Sequence, residues 1–165
     1  LGIICYLCNV NWKIIHIDET DSTNSWLRNS PALFENNAAL FENNTALFHN
    51  KSGLLEDGVV VVTDYQTAGR GCGTNTWESE RGKNLLFSML IYPTDIAANE
   101  QFRITEAVSV ALCQTLQVYI NNKVEIKWPN DIYVGDKKIC GILIENRLQG
   151  NTIKGSIIGI GLNVN

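Results

Sequence analysis

Short apolar runs rich in β-branched residues, each closed by turn residues, constrain the fold of this chain more than any other feature. Their alternation and composition predict strands, and the Gly135-Asp136 pair predicts a tight hairpin between two of them. A long helical spacing of apolar residues without Gly or Pro occurs at 96–121. The pattern predicts an α+β fold, a mixed and mostly antiparallel sheet packed by helices. The predicted strands lie at 13–18, 58–66, 84–93 and 152–165, with two more on either side of the hairpin within 132–148.

Two segments lie between the first and second predicted strands. In DSTNSWLRN, Asp21 or Ser22 is well placed to cap a short helix that runs through Trp26 and Leu27. Residues 32–50 then repeat with a period of seven, as ALFENNA, ALFENNT and ALFHNKS. Adjacent Asn residues weaken each helical turn, so we interpret the repeat as a surface insertion rather than a coiled coil.

Composition limits the class of protein. A chain of 165 residues is long enough for one domain with a sizeable core, and the net charge of −4 argues against a protein that coats nucleic acid. Five cysteines at irregular spacing are a poor disulfide framework and favour the cytoplasm. The opening LGIICYLCNV is too short to span a bilayer, so no membrane association is expected. Its C-x-x-C lacks the second pair typical of a zinc site, so no certain metal is expected.

The stretch QTAGRGCGTNTW at 66–77 has the residue types of an anion-binding loop. Its glycines let backbone N–H groups approach an anion closely, and Arg70 adds a planar cation suited to a carboxylate or phosphate. Trp77 offers a flat face for a purine base. The spacing is neither that of a P-loop nor that of a dinucleotide fingerprint. By itself the stretch is equally compatible with a mobile surface loop.

Two further stretches are compatible with chemistry. In KWPNDIYVGDKK, Pro129 predicts a turn that presents Asn130 and Asp131, with Lys127 and Lys138 on either side. Solvated lysines at a turn are the ordinary alternative. In DETDSTNSW, the hydroxyls of Ser22 and Thr23 either cap the helix or meet a small polar ligand at its start.

These stretches, in this order, resemble the biotin protein ligases. The motifs that carry the resemblance are DSTN at 21–24, YQTAGRG at 65–71 with Trp77, GKNLLFS at 82–88, KWPND at 127–131, KKICGILIE at 137–145 and GIGLN at 159–163. The resemblance covers residues 13–165 except the repeat at 32–50, so 1–165 is expected to be a single catalytic domain. KWPND followed by K-x-x-G-I-L-I-E is its most specific part.

The resemblance implies a reaction and a set of roles. The family activates biotin with ATP, and with Mg²⁺, to biotinyl-5′-AMP, and then passes biotin to one lysine of a biotin carboxyl carrier protein. The implied catalytic residues are Lys138, Arg70, Lys127 and Asp131. The implied biotin-binding residues are Ser22, Thr23, Gln66, Gly69, Arg70, Lys138 and Gly141. The implied ATP and adenylate contacts are Arg70, Trp77, Asn130 and Asn163.

The chain departs from the family at two points. Relatives usually carry G-R-G-R-x-G-R-x-W, whereas GRGCGTNTW places Cys72, Gly73 and Asn75 there, which predicts weaker retention of the anionic adenylate. The family's small C-terminal β-barrel and the DNA-binding extension of its repressor subclass are also missing from this sequence, which argues against a nucleic-acid partner. Two alternatives stay open, a biotin-binding module without turnover and a lipoyl or octanoyl transferase. A homodimer is also left open.

Overall fold

The computed structural model describes residues 12–30, 58–93 and 96–164. The predicted repeat at 32–50 and the C-x-x-C pair at 5–8 lie outside these residues. The strands are β1 (Lys13–Thr20), β2 (Val59–Gln66), β3 (Asn84–Ile91), β4 (Val124–Lys127), β5 (Asp131–Val134), β6 (Lys137–Gln149) and β7 (Thr152–Asn163). The helices are α1 (Thr23–Arg28) and α2 (Phe102–Tyr119), with a 3₁₀ turn at Ala98–Glu100.

All seven strands form one sheet in the order β1-β2-β3-β7-β6-β5-β4. The pair β1 and β2 is parallel, and every other neighbouring pair is antiparallel. Gly135 and Gly150 turn the chain at the two hairpins that flank β6, with φ of 56° and 59°, a conformation that glycine adopts readily. The predicted α+β class and mostly antiparallel sheet are confirmed.

Within the described residues, each face of the sheet is covered by one helix. Successive side chains of a strand point to opposite faces, so the neighbours Ile157 and Ile158 enter different cores. Ile158 belongs to a larger core with Ile104 and Val108 of α2, and Ile157 to a smaller core with Leu27 of α1. The smaller core leaves room on the α1 face of the sheet, and the candidate site lies there.

The long helix is shorter than the sequence pattern predicts. Residues 96–121 carry the spacing, but the helix runs only from Phe102 to Tyr119. Ala97 forms a β-bridge with Thr152, which ties this end of the segment to the sheet. At the other end Ile120 is extended, with φ −114° and ψ 120°, and packs against the larger core. Tertiary contacts therefore override the helical spacing at both ends.

Helix α1 begins where predicted, but without a side-chain cap. Ser22 is the N-cap residue, and its hydroxyl makes no capping hydrogen bond. The carboxylate of Asp21 instead accepts from the Ser22 backbone N–H at 2.6 Å. The hydroxyls of Ser22 and Thr23, both 3% exposed, thus lie at the helix start with roles other than capping.

Candidate functional site

A cleft on the α1 face gathers most of the residues that the sequence singles out. Its walls are the start of α1, the loop after β2, and the adjoining ends of β5, β6 and β7. The predicted site residues that line it are Ser22, Thr23, Gln66, Arg70, Trp77, Asn130, Asp131, Lys138 and Gly141. Gly69, Lys127 and Asn163 are not among its lining residues.

Three glycines form the floor of the cleft. Gly141 of β6 pairs with Gly161 of β7, and Leu143 pairs with Gly159, so the three glycines face the same side of the sheet. A Cβ on Gly141 would lie 2.8 Å from the Trp77 ring, and one on Gly161 would lie 2.5 Å from it. The indole therefore lies directly on the backbone of β6 and β7. Of these three glycines, Gly141 alone was predicted from the sequence to belong to the site.

The loop after β2 folds back on itself and carries Arg70 and Trp77 into the cleft. The Trp77 N–H donates to the Gly69 carbonyl at 2.9 Å, and the Gly71 N–H donates to the Asn75 carbonyl at 2.9 Å. A Cβ on Gly69 would meet the Trp77 carbonyl at 2.2 Å, so this closure needs a glycine. Gly69 thus allows the loop to close although it does not line the cleft itself. The indole Nε1 of Trp77 is buried and has no hydrogen-bond partner among the described residues.

A β-bulge places Lys138 in the cleft. Ile132 of β5 pairs with Cys140 and Tyr133 with Lys138, so Ile139 is an extra residue in β6. Ile139 and Cys140 both pack toward the larger core, and Lys138 turns to the opposite face. Its Nζ lies 2.7 Å from Asp131 Oδ1 and 5.5 Å from the centroid of the Trp77 ring.

The thiol of Cys140 lies behind this ion pair. Burial raises the pKa of Cys140 to about 12; the nearby Lys138 lowers this pKa and Asp131 raises it, both by less than burial does. Cys140 is fully buried and belongs to the larger core, so it acts as an apolar packing group.

The turn between β4 and β5 is attached to β6 and to the glycine-rich loop. The Ile142 N–H donates to the Asn130 carbonyl at 2.8 Å, and Asn130 Nδ2 donates back to the Ile142 carbonyl at 3.1 Å. The same Nδ2 lies 3.0 Å from Cys72 Sγ. Lys127, which precedes the turn, places its Nζ over the ring of Tyr133, 4.9 Å from the centroid. Asn163 donates weakly to the Lys138 carbonyl at 3.4 Å and lines a second, shallower cleft.

A buried polar network supports the inner end of the cleft, and sequence reasoning missed most of it. Gln66 Oε1 accepts from the Thr23 N–H at 2.9 Å, and Ser88 Oγ lies 2.7 Å from Thr23 Oγ1. Ser88 donates to Asn24 Oδ1 at 2.6 Å, and Asn24 Nδ2 donates to Glu145 Oε2 at 2.9 Å. The available signal was a polar residue within otherwise apolar strands, Ser88 in NLLFSMLI and Glu145 in ICGILIE.

The network ends at a carboxylate that two arginines share. Arg70 Nη1 donates to both oxygens of Glu145 at 2.9 Å, and Arg28 Nη1 donates to Oε1 at 3.2 Å. The cleft therefore has two cations at different depths along its floor, Arg70 held by Glu145 and Lys138 held by Asp131. This arrangement suits a ligand with a polar ring at one end and more than one anionic group at the other.

Two kinds of feature are absent from the described residues. Within 12–30, 58–93 and 96–164, no three His, Cys, Asp or Glu side chains come together in a way that could hold a metal ion. Neither helix described for this chain is long and apolar enough to cross a membrane.

Comparison with known proteins places this site in a family. Residues 39–163, more than half of the chain, match the model of the biotin/lipoate A/B protein ligase family. The bifunctional ligase/repressor BirA of Bacillus spizizenii is 38% identical over 109 residues, which cover 66% of this chain and 33% of that protein. The human biotin–protein ligase is 33% identical over 114 residues, 66% of this chain and 16% of that protein.

Solved structures give the same result for the fold. The biotin protein ligase from Aquifex aeolicus in complex with biotin and ATP superposes with a TM-score of 0.66 at 27% identity, over 93% of this chain and 53% of that one. A lipoate complex of LipL1 from P. falciparum has a TM-score of 0.55 at 12% identity, which shows a shared fold alone. The resemblance to the biotin protein ligases is thus confirmed, over a part of those longer proteins.

Proposed function

Because this chain belongs to the biotin/lipoate A/B protein ligase family, we propose that it is the catalytic part of a biotin protein ligase. It would join biotin to ATP as biotinyl-5′-AMP and then transfer biotin to a lysine of a biotin carboxyl carrier protein. The observation that carries the proposal is the composition of one cleft. Hydroxyl and amide side chains, two cations and an indole come together there over a floor of three glycines. The relatives named biotin–protein ligase support the choice of biotin.

The inner end of the cleft is proposed to bind the ureido ring of biotin. That ring presents two N–H donors and one carbonyl acceptor in a plane, and Ser22, Thr23 and Gln66 offer donors and acceptors at the start of α1. The contacts of Thr23 with Gln66 and Ser88 hold the Thr23 and Gln66 side chains in place before the ligand arrives, which lowers the cost of ordering them. Gly69 shapes the adjoining backbone, and Gly141, on which the Trp77 ring lies, is proposed to let the ligand approach β6 once that ring moves.

The first step is proposed to occur between the two cations. A carboxylate oxygen of biotin attacks the α-phosphorus of ATP, the new P–O bond forms, and the bond to pyrophosphate breaks. Two anions must approach each other, and negative charge moves to the leaving group, so Arg70 and Lys138 would stabilise both the approach and the transition state. Trp77 would stack on adenine, and Asn163 would contact the edge of the base.

The turn between β4 and β5 is proposed to serve the pyrophosphate side. Mg²⁺ binds through one or two carboxylate or amide oxygens together with substrate phosphates, and Asp131 and Asn130 supply such oxygens next to Lys138. The donor set therefore fits Mg²⁺, which when bound neutralises phosphate charge. Lys127 lies outside the cleft lining, and its proposed role is to turn from the Tyr133 ring toward the outer phosphates.

The second step needs only a positioned acceptor. The amine of the acceptor lysine attacks the acyl carbon of biotinyl-AMP, an amide forms, AMP leaves, and the proton of the attacking nitrogen is lost. Asp131 is the proposed acceptor of that proton, because it is the carboxylate that lines the cleft beside Lys138. A net charge of −4 supports a protein rather than a nucleic acid as the macromolecular partner. A cytoplasmic location, a single domain over 1–165 and a homodimer are further parts of the proposal.

The proposal is tested by incubating the chain with biotin, MgATP and a carrier domain and scoring biotinylation of the acceptor lysine. Lys138→Ala should lose biotinyl-AMP formation by at least about 10²-fold, since it removes a preorganised cation. Lys137→Ala is the matched control, because Lys137 is the preceding residue of β6 and does not line the cleft. Full adenylate formation by a folded Lys138→Ala protein would contradict the assigned role.

Substrate choice separates the alternatives. ATP–pyrophosphate exchange should be stimulated by biotin and not by octanoate or lipoate. The lipoate-bound neighbour supports a shared fold only, so transfer of those acids is the weaker candidate. Tight biotin binding without any adenylate, measured by mass spectrometry, would instead support a binding module without turnover.

A further inference from the structure

The carboxylate of Glu145 is the point where the sheet, α1 and the glycine-rich loop meet. We infer that Glu145 is a positioning residue: it holds Arg70 at the cleft and thereby keeps the loop at 66–77 closed over the floor before any ligand binds. The inference rests on the proposed function for its second half, that Arg70 so held meets the anionic end of biotin. No part of the sequence resemblance assigned a role to Glu145.

The geometry of the ion pair leaves Arg70 available to a ligand. A carboxylate that pairs with an arginine in the usual two-pronged way occupies two guanidinium nitrogens. Here both oxygens of Glu145 accept from a single nitrogen, Nη1, at 2.9 Å each. Nε and Nη2 of Arg70 keep their hydrogen-bonding capacity, and Arg70 lines the cleft. Glu145 thus fixes the position of the guanidinium group and leaves its Nε and Nη2 donors for a second anion.

Glu145 is itself fixed by groups that do not belong to the loop. Asn24 Nδ2 donates to Oε2 at 2.9 Å. Asn24 is itself 2% exposed, and its Oδ1 accepts a hydrogen bond from the Ser88 hydroxyl. Arg28 donates to Oε1 at 3.2 Å from the last turn of α1. The Glu145 side chain is 25% exposed, against 37% for Arg70. The more buried and better-held partner is the carboxylate, so it positions the arginine rather than the reverse.

Apart from the Trp77 ring, which packs on Gly141 and Gly161, the loop has few other attachments to the floor. Its base is joined to the end of β1 by backbone bonds from Thr67 and Ala68, and its middle is closed mainly by bonds within itself. Cys72 contributes two weak contacts of its Sγ, with Asn130 Nδ2 at 3.0 Å and with the Ile142 carbonyl at 3.9 Å. Among the ion pairs of the described residues, Arg70–Glu145 alone ties this loop to the sheet. Loss of that pair should therefore loosen the loop while leaving the sheet intact.

The test compares three variants of the full chain by two readouts. Amide hydrogen exchange of residues 68–77 without ligand reports on the loop, and calorimetric titration with biotin reports on the site. Glu145→Gln should speed loop exchange and raise the Kd for biotin about tenfold each, the size expected for one charge-assisted pair at a partly exposed position. Arg28→Gln, which removes the other arginine from the same carboxylate, should change each value less than twofold.

A cycle with Arg70→Gln separates positioning from a general structural role. If Glu145 acts through Arg70, Glu145→Gln adds nothing to the loop exchange or Kd of Arg70→Gln. Equal effects of Glu145→Gln and Arg28→Gln, or a full effect of Glu145→Gln in the Arg70→Gln background, would overturn the inference. A wild-type chain that binds no biotin would contradict the proposed function, and the ligand-free exchange would still decide the role of Glu145.

If Glu145→Gln does not fold, the charge-swapped variant Glu145→Arg with Arg70→Glu replaces it. This variant should restore slow loop exchange relative to Arg70→Glu alone, because the pair is re-formed with its charges exchanged. It should not restore biotin affinity, because the cation then lies on the sheet instead of the loop. Loop exchange as fast as in Arg70→Glu alone would overturn the inference.

Discussion

Replacing Gly159 with alanine is a sharp test of the polar network under the cleft. A Cβ at this position would lie 2.2 Å from Asn24 Oδ1 and 2.9 Å from Asn24 Cγ. Carbon and oxygen atoms normally approach no closer than about 3.3 Å. The Asn24 side chain must therefore move by roughly 1 Å, although it is 2% exposed and bonded to Ser88 and Glu145.

The expected cost follows from these contacts. Crowding a well-packed interior costs about 1–3 kcal/mol, and each hydrogen bond that Asn24 loses costs about 0.5–1.5 kcal/mol. With the two bonds to Ser88 and Glu145 lost, Gly159→Ala should lower the free energy of unfolding by about 2–6 kcal/mol. That is a large share of the roughly 5–15 kcal/mol that a domain of this kind possesses.

Urea denaturation followed by circular dichroism measures this loss, with Asn24→Ala and the double variant as controls. Asn24→Ala removes the atoms that the new Cβ would meet, so the double variant should be about as stable as Asn24→Ala alone. Two results would refute the reasoning. One is a Gly159→Ala protein within 0.5 kcal/mol of the wild type, and the other is a double variant whose loss equals the sum of the single losses.

Three further expectations concern the cleft. Gly161→Ala would place a Cβ 2.5 Å from the Trp77 ring, so it should expose the indole and red-shift its fluorescence, and unchanged emission would contradict this. Because burial raises the pKa of Cys140 to about 12, the unfolded chain releases this proton from pH 9 upward and the folded chain does not. Stability of the wild type relative to Cys140→Ala should fall by up to about 1.4 kcal/mol per pH unit between pH 9 and 12, and urea titrations with a flat difference would disprove it. Cys72→Arg should slow the release of biotinyl-AMP, measured by dilution, because it adds a cation near the anionic adenylate. Equal release rates in both proteins would contradict this expectation.

The strands other than β4 were predictable because each carries its own signal in the sequence, whereas the four-residue β4 was not among the predicted strands. The apolar runs of β2, β3 and β7 and the Gly135-Asp136 hairpin need no knowledge of their partners. The ends of α2 were not predictable, since Ala97 and Ile120 are drawn into contacts with the sheet. Local spacing reports only what a segment does alone.

The site divides in the same way. Arg70, Trp77 and Lys138 belong to stretches whose composition suggests chemistry, and the structure brings them into one cleft. Ser88 and Glu145 come from β3 and β6, which are separated by β7, and only the register of the strands brings both within reach of Asn24. For a residue whose role depends on long-range strand pairing, the only signal in the sequence is a polar residue within an apolar strand.

The bulge at Ile139 explains why Lys138 and Gly141, three residues apart in the sequence, lie on the same face of the sheet. In a regular strand, residues two apart share a face, and residues three apart do not. Lys138 and Gly141 are three apart, yet both line the cleft, because Ile139 occupies an extra place in β6. Deleting Ile139 would leave Lys138 and Gly141 two residues apart, so a regular strand would keep both on the cleft face. A regular strand that kept Ile139 would instead turn Lys138 toward the larger core, so the extra residue and the bulge must be present or absent together for the lysine to reach the floor.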